Sequence, residues 1–365
     1  MEFGLSLEQR QFDDSLRSFL KDHLPMDRLR ALAEPGMGFD PSLWNGLAEL
    51  GLHGLIVPER FGGAGLGILD AAVAAEALGN AAAPVPFAGS LVMAPLAFID
   101  SATEAQQDEY LPGIASGEIR VAVAFSGFGG QTGTARASFQ DGRLSGRITG
   151  VMDAASATHF LVYLPDGHAA VVAADATGVS TKINRSIDRT RPMTDVTFDA
   201  APAERLGAAN APLVAAQTVL DAGRVVLAAD TMGAAQHMLD AAVAFAKERV
   251  QFGRVIGSFQ GVKYMLSDCV TVLEPCRGMV WYAAHAQDAI QDEARLTACH
   301  TKAHLAEVAR DVARITTEAH GGMGFTDLLG LHYWFKRIMF NRQVLGGPER
   351  CREEAAQLQG WTLHA

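Results

Sequence analysis

The stretch RVQFGRVIGSFQ, residues 249 to 260, decides how the chain divides. It interrupts two long segments of helical period: VLDAGRVVLAADTMGAAQHMLDAAVAFAKERV before it, and SFQGVKYMLSDCVTVLEPCRGMVWYAAHAQDAI overlapping its end and running on. A bare helical hairpin needs only about two to five turn residues. Here the break carries an arginine, a Phe-Gly step, a second glycine and a glutamine. Arg249 and Gln260 are the side-chain types that donate hydrogen bonds to phosphate or polyol oxygens, and Gly253 permits close backbone approach.

Downstream, ARLTACHTKAHLAEVARDVARITTEAHGG is a third helical segment and LLGLHYWFKRIMFNRQVL a shorter fourth. Long helices joined by short turns predict a helix bundle over 212–365. Upstream, 1–118 is also helical in pattern, with Leu5, Phe12, Leu16, Phe19 and Leu20 near one face and glycine or proline stops after each segment. Between them, over 119–211, alternating and β-branched runs separated by Gln140-Asp141-Gly142 and Pro165-Asp166-Gly167 predict a separate antiparallel β domain. The fold class is mainly α with a central β domain.

Composition narrows the function. The chain has 365 residues, 49% of them hydrophobic, and a formal net charge of -11. It is acidic and without a Lys/Arg cluster, which argues against a nucleic-acid surface. Charges interrupt every long apolar run, so no membrane span is expected. The acidic N-terminus reads as neither a transit nor a secretory signal. Cys269, Cys276, Cys299 and Cys351 lack CxxC spacing and read as buried free thiols of a reducing, cytoplasmic compartment. His285, His300, His304 and His320 show no HExxH spacing, so no metal site is expected, and GxSxG is absent. FGGAGLG at 61–67 lies between helices and does not follow a strand, so it reads as a loop; HGGMGF and VLGGPER read locally as helix stops.

Taken together, PERFGGAGLGILDAAVAAEALG, LSGRITGVMDAASATHFLV, KERVQFGRVIGSFQ and EAHGGMGF resemble, in order and over the whole chain, the acyl-CoA dehydrogenase family. The resemblance implies an N-terminal helical domain, a middle β-barrel and a C-terminal four-helix bundle. It implies FAD as cofactor, an acyl-CoA thioester as substrate and an electron-transfer flavoprotein as reoxidant. In relatives, the arginine and phenylalanine of RxxFG and the following glutamine reach FAD across a subunit interface; here they match Arg249, Phe252 and Gln260. The QxxGG segment matches Glu318, Gly321 and Gly322, with a carboxylate, which donates no hydrogen bond, in place of the usual glutamine.

The family reaction removes an α-proton to a carboxylate base while the β-hydrogen leaves as hydride to the flavin. That carboxylate is missing from both positions where the family places it. The Tyr-Glu-Gly-Thr segment matches Leu345-Gly346-Gly347-Pro348, which puts Gly346 at the base position. The alternative LDxER arrangement matches LDAGR and puts Gly223 there. Flavin-facing positions of the β domain also depart: Thr-Glu-Pro-Gly matches Phe125-Ser126-Gly127-Phe128, where Ser126 retains a hydroxyl, and the aromatic-hydroxyl segment reads Val151-Met152-Asp153. The pattern resembles the small subunits of heteromeric acyl-CoA dehydrogenases of pimeloyl-CoA or steroid-side-chain type, paired with a dissimilar chain. Two other readings stay open: a homo-oligomer, dimer or tetramer, with Asp230 or Glu349 as a displaced base, and a flavin-free structural or binding homologue. The Ala-rich helix after Pro212 is equally consistent with a roomy acyl pocket and with close helix packing.

Overall fold

The computed structural model describes residues 4–36, 38–127 and 136–361. Phe128, the last residue of the segment read as flavin-facing, lies outside them.

The N-terminal part is helical: α1 Leu7–His23, α2 Met26–Ala33, α3 Pro41–Glu49, α4 Ile68–Asn80, a π-helical turn Ala88–Met93 running into α5 Ala94–Ser101, and α6 Glu104–Ser116. Local chemistry sets several ends. Ser6 and Thr103 build capping boxes with Gln9 and Gln106, and Gly117 closes α6 in the left-handed region.

The β domain holds β1 Val121–Phe125, β2 Ala137–Gln140, β3 Arg143–Met152, β4 His159–Tyr163, β5 Ala169–Ala173, β6 Val179–Asn184, β7 Met193–Pro202 and β8 Glu204–Arg205. They form two four-stranded sheets, β1-β4-β5-β8 and β2-β3-β7-β6. Asp141 and Gly142, both at positive φ, turn β2 into β3, and the Pro165-Asp166-Gly167 segment joins β4 to β5. The domain is not wholly antiparallel, however. β1 pairs with β4 in parallel, because β2 and β3 depart to the second sheet before the chain returns. Side-chain alternation carries no strand direction, so the sequence pattern could not show this.

Strand β1 is buried on both faces. Ala122 and Ala124 enter the core between the sheets, whereas Val121, Val123 and Phe125 join the main core shared with the helices. That shared core fixes the β domain against the rest of the molecule.

The C-terminal part comprises α7 Pro212–Glu248, the two-residue strands β9 Val250–Gln251 and β10 Arg254–Val255, α8 Gln260–Ala289, α9 Gln291–Ala319, α10 His332–Gln343 and α11 Pro348–Leu358. Helices α7 to α10 form the bundle, and α11 lies against α9. By length and composition α7 is apolar enough to cross a membrane, yet its most apolar window is 67% buried inside the protein. Its small residues serve packing. A Cβ on Gly233 would stand 1.9 Å from the Glu76 carbonyl oxygen, and one on Gly79 2.0 Å from that of Asp230, so these two glycines let α4 and α7 touch backbone to backbone. The roomy reading of the Ala-rich helix therefore fails along the face that meets α4. All four cysteines are buried and free.

Candidate functional site

The break at VLGGPER is a helix stop, as its residues predict. After α10, Leu345 at φ 59° and Gly346 at φ 99° turn the chain, and Pro348 opens α11 in its first turn. The turn brings both base positions to one place. A Cβ on Gly223 would lie 2.7 Å from Leu345 Cδ1 and 2.7 Å from Met93 Sδ, and one on Gly346 would lie 3.1 Å from Arg224 Nη2. Side chains already occupy the space into which a residue at either position would extend.

Arg224 organises this region and is 0% exposed. It forks onto Glu354 (Nη1 to Oε2 2.8 Å, Nη2 to Oε1 3.1 Å), reaches Asp221 Oδ1 at 3.1 Å, and donates through Nε to the Leu345 carbonyl at 2.8 Å. Burial alone would raise Glu354, but Arg224 and Arg350 outweigh it and hold the acid at about 2. For Asp221 burial wins over Arg224 and pushes it up to about 6. Cys299 and Cys351 pack beside the cluster, with Arg224 Nη1 3.4 Å from Cys299 Sγ. A cavity of about 510 Å³ opens at Asp221, walled by Leu213, Gln217, Gln287 and Arg295 among others. Sequence reading missed Arg224, although an arginine within an apolar helical run was itself a signal, since a buried charge requires a partner.

The two stand-in acids are placed very differently. Asp230 is buried in an ion cluster that joins three parts of the chain. Its oxygens accept from Arg191 Nη2 at 3.0 Å, Arg337 Nε and Nη2 both at 2.9 Å, and Asn341 Nδ2 at 2.6 Å. Burial works to raise it, and the two guanidiniums prevail, holding it at about 2. Saturated with donors, this carboxylate is matched to structure and poorly matched to proton abstraction near neutral pH. Glu349 sits in the first turn of α11 with its side chain 71% exposed and paired with Arg342 at 3.1 Å. Its own backbone N–H and that arginine lower its pKa.

At the far end of α7 lies a surface of the opposite kind. Phe252 (φ 54°) and Gly253 (φ 76°) make the two-residue turn between β9 and β10, which leaves Phe252 92% exposed at its tip. Arg249 caps α7, Gln260 begins α8, and both are exposed. Helices α7 and α9 run parallel, and Phe245 meets His320 ring to ring at 4.7 Å, so the 318–325 segment stands at this same end. A Cβ on Gly321 or Gly322 would touch nothing within 4 Å, and Phe325 is 77% exposed. Glu318 is held by Arg314 at 2.7 Å. The fold thus gathers Arg249, Phe252, Gln260, Glu318, Gly321 and Gly322 on one open surface. The 26 residues from Gly223 to Arg249 separate it from the base positions by roughly 39 Å of helix.

Ser126 is elsewhere. It follows β1, is 1% exposed, and its Oγ accepts the Ala137 N–H at 2.6 Å. Asp153, buried at the end of β3, accepts the Gly89 N–H at 3.2 Å, and burial pushes its pKa up.

Comparison with known proteins matches this layout. Residues 6–118 fit the family model "Acyl-CoA dehydrogenase, N-terminal domain" and residues 213–357 fit "Acyl-CoA dehydrogenase, C-terminal domain". The chain belongs to the acyl-CoA dehydrogenase family. The family is one of oxidoreductases whose cofactor is FAD. Among relatives of this acyl-CoA dehydrogenase homologue, the acyl-CoA dehydrogenase IpdE2 of Mycolicibacterium smegmatis is 28% identical over 97% of this chain and 99% of its own. A solved structure of a variant of the "Tcur3481-Tcur3483 steroid ACAD" is 33% identical, with a TM-score of 0.87 over 97% of this chain and 98% of that one. The glutaryl-coenzyme A dehydrogenase complex with glutaryl-CoA, 22% identical over 99% and 98%, shares the fold at a TM-score of 0.89.

Proposed function

We propose that this chain is the non-catalytic subunit of a heteromeric acyl-CoA dehydrogenase that acts on a steroid-derived acyl-CoA. The observation that carries the proposal is the filled base site. Both family base positions are glycine, with Leu345 and Met93 packed over Gly223 and the Arg224–Glu354 pair beside Gly346. A dissimilar subunit then brings the carboxylate that takes the α-proton.

The open end is this chain's contribution. Arg249 and Gln260 are free to donate to phosphate and ribityl oxygens, Gly321 and Gly322 leave room for close backbone approach, and Phe252 offers a ring face. These residues fit an FAD molecule whose isoalloxazine lies in the partner, where it would accept the hydride. This chain's own flavin-facing positions suit the cofactor poorly, because Ser126 is turned into the backbone and Asp153 puts a buried acid where the family has a hydroxyl. The names of two relatives, a steroid enzyme written as a pair of proteins and IpdE2, support the heteromer and the substrate class. An electron-transfer flavoprotein completes the proposed cycle.

Desaturation of acyl-CoAs by the chain alone and with its co-expressed partner tests the assignment, with flavin stoichiometry read near 450 nm, roughly where oxidised flavin absorbs. Turnover and flavin are expected only in the mixed assembly. Robust turnover by the chain alone overturns the proposal in favour of a homo-oligomer with a displaced base. A mixed assembly without flavin favours a structural homologue.

A further inference from the structure

Neither base position nor any residue of the open end lines a cavity of about 350 Å³ between the C-terminal half of α2, the β6–β7 connection and the start of α10. Arg30, Arg189, Lys336, His332 and Tyr333 line it, together with Glu34, Asp327, Ala33 and Ile187. Three permanent cations converging on one cavity stand out in a chain of net charge -11.

The walls are braced from within the protein. Arg30 donates through Nη2 to the carbonyls of Asp327 and Leu328, both at 2.7 Å, and through Nη1 to Asp27 at 3.1 Å, which holds the turn ahead of α10. Its Nε is buried without a partner. His332 Nε2 lies 2.5 Å from Asp327 Oδ1, and Lys336 Nζ stands 3.4 Å from His332 Nδ1. This arrangement fixes the tautomer, with Nε2 donating and Nδ1 accepting. It also engages Asp327, one of the two carboxylates, and leaves Lys336 two further N–H donors. Arg189 is exposed across the cavity. The Tyr333 ring, tilted on His332 with centroids 4.2 Å apart, adds an aromatic surface next to the cations.

We infer that this cavity binds a phosphate-bearing nucleotide, its phosphates on Arg189 and Lys336 and its base against Tyr333. Fork-like guanidinium donors suit phosphate oxygens, an ammonium adds a point charge, and an aromatic face accepts any base. Two sources share this chemistry, a free nucleoside diphosphate and the nucleotide end of a CoA thioester. The inference does not rest on the missing base, so it stands or falls independently of the heteromer.

Calorimetric titration of the purified chain with ADP, coenzyme A, inorganic phosphate and adenosine tests it. ADP is expected to bind, adenosine to bind more weakly, and affinity to fall with added salt. The double variant Arg189→Ala/Lys336→Ala should weaken ADP at least about 10-fold, the loss of one charge-assisted contact. Tyr333→Ala should weaken ADP more than phosphate, and Lys21→Ala on α1 should change nothing. Thermal melts confirm that each variant is folded. Competition by coenzyme A identifies the thioester as the source; ADP binding without such competition identifies a free nucleotide. The inference is overturned if ADP fails to bind at about 1 mM, or if folded Arg189→Ala/Lys336→Ala binds as the parent does.

Discussion

The two ends of α7 obey opposite rules. Around Gly223, Arg224 and Gly346 charges are buried and paired and the space beside each glycine is filled; around Arg249, Phe252, Gly321 and Gly322 the residues are exposed and the space is open. The first end is finished within one chain. The second carries a phenylalanine almost wholly in water, and burying such a side chain against a partner is worth roughly 2–3 kcal/mol. Burial and exposure thus separate what this chain does for its own fold from what it offers another.

The comparison can be broken most decisively at Asp230. Replacing it by alanine strands Arg191 and Arg337 in the interior, and unfolding titrations should show a loss of about 3–5 kcal/mol. A loss below about 1 kcal/mol would mean that ion pairing does not hold the closed end together.

Acid probes the same cluster without a core deletion. Asp230 is held at about 2 in the folded protein, after the arginines overcome the effect of burial, against roughly 3.9 when unfolded. A depressed acid stabilises fully above its unfolded value and loses that contribution as pH falls through its folded one. Roughly 2–3 kcal/mol should therefore disappear between about pH 4 and pH 2 in the parent. The gap between the parent and Asp230→Asn in pH-dependent melts should narrow over that window.

The open end should respond in the reverse sense. Arg249→Ala is expected to shift the stability of the isolated chain by less than about 0.5 kcal/mol, because the residue is exposed. In the mixed assembly it should weaken flavin retention roughly 10- to 100-fold, the worth of a lost charge-assisted hydrogen bond. Equal effects on stability and flavin would erase the distinction between the ends.

The smallest effect belongs to the vacant position itself. Gly346→Ala puts a Cβ on a residue at φ 99° and 3.1 Å from Arg224, and should lower stability by about 1–2 kcal/mol. Gly346→Glu is expected to leave the isolated chain without desaturase turnover, because the new side chain meets the Arg224–Glu354 pair.

Much of this organisation was legible residue by residue. The period of 3.6 in the segments around RVQFGRVIGSFQ marked the long helices, Asp141-Gly142 marked its hairpin, and Gly346 before Pro348 marked a stop. Ser126 shows the limit. Its hydroxyl was visible as chemistry, but its engagement by the Ala137 N–H depends on how the chain returns to β2. Asp230 likewise offered a carboxylate on a suitable helix. Only its partners Arg191, from the β6–β7 connection, and Arg337 and Asn341, from α10, show that carboxylate already spent on structure.

The sequence by itself determined the element types, the family, and the absence of a carboxylate at both base positions, because these are properties of residue identity and short-range period. Tertiary structure alone decided that Leu345 and Met93 fill the space at Gly223, that β1 pairs in parallel with β4, and that the two sets of site residues lie at opposite ends of one helix. Those outcomes depend on contacts between distant segments. Local periodicity specifies which face of a helix or strand is apolar, and leaves open which other face will cover it.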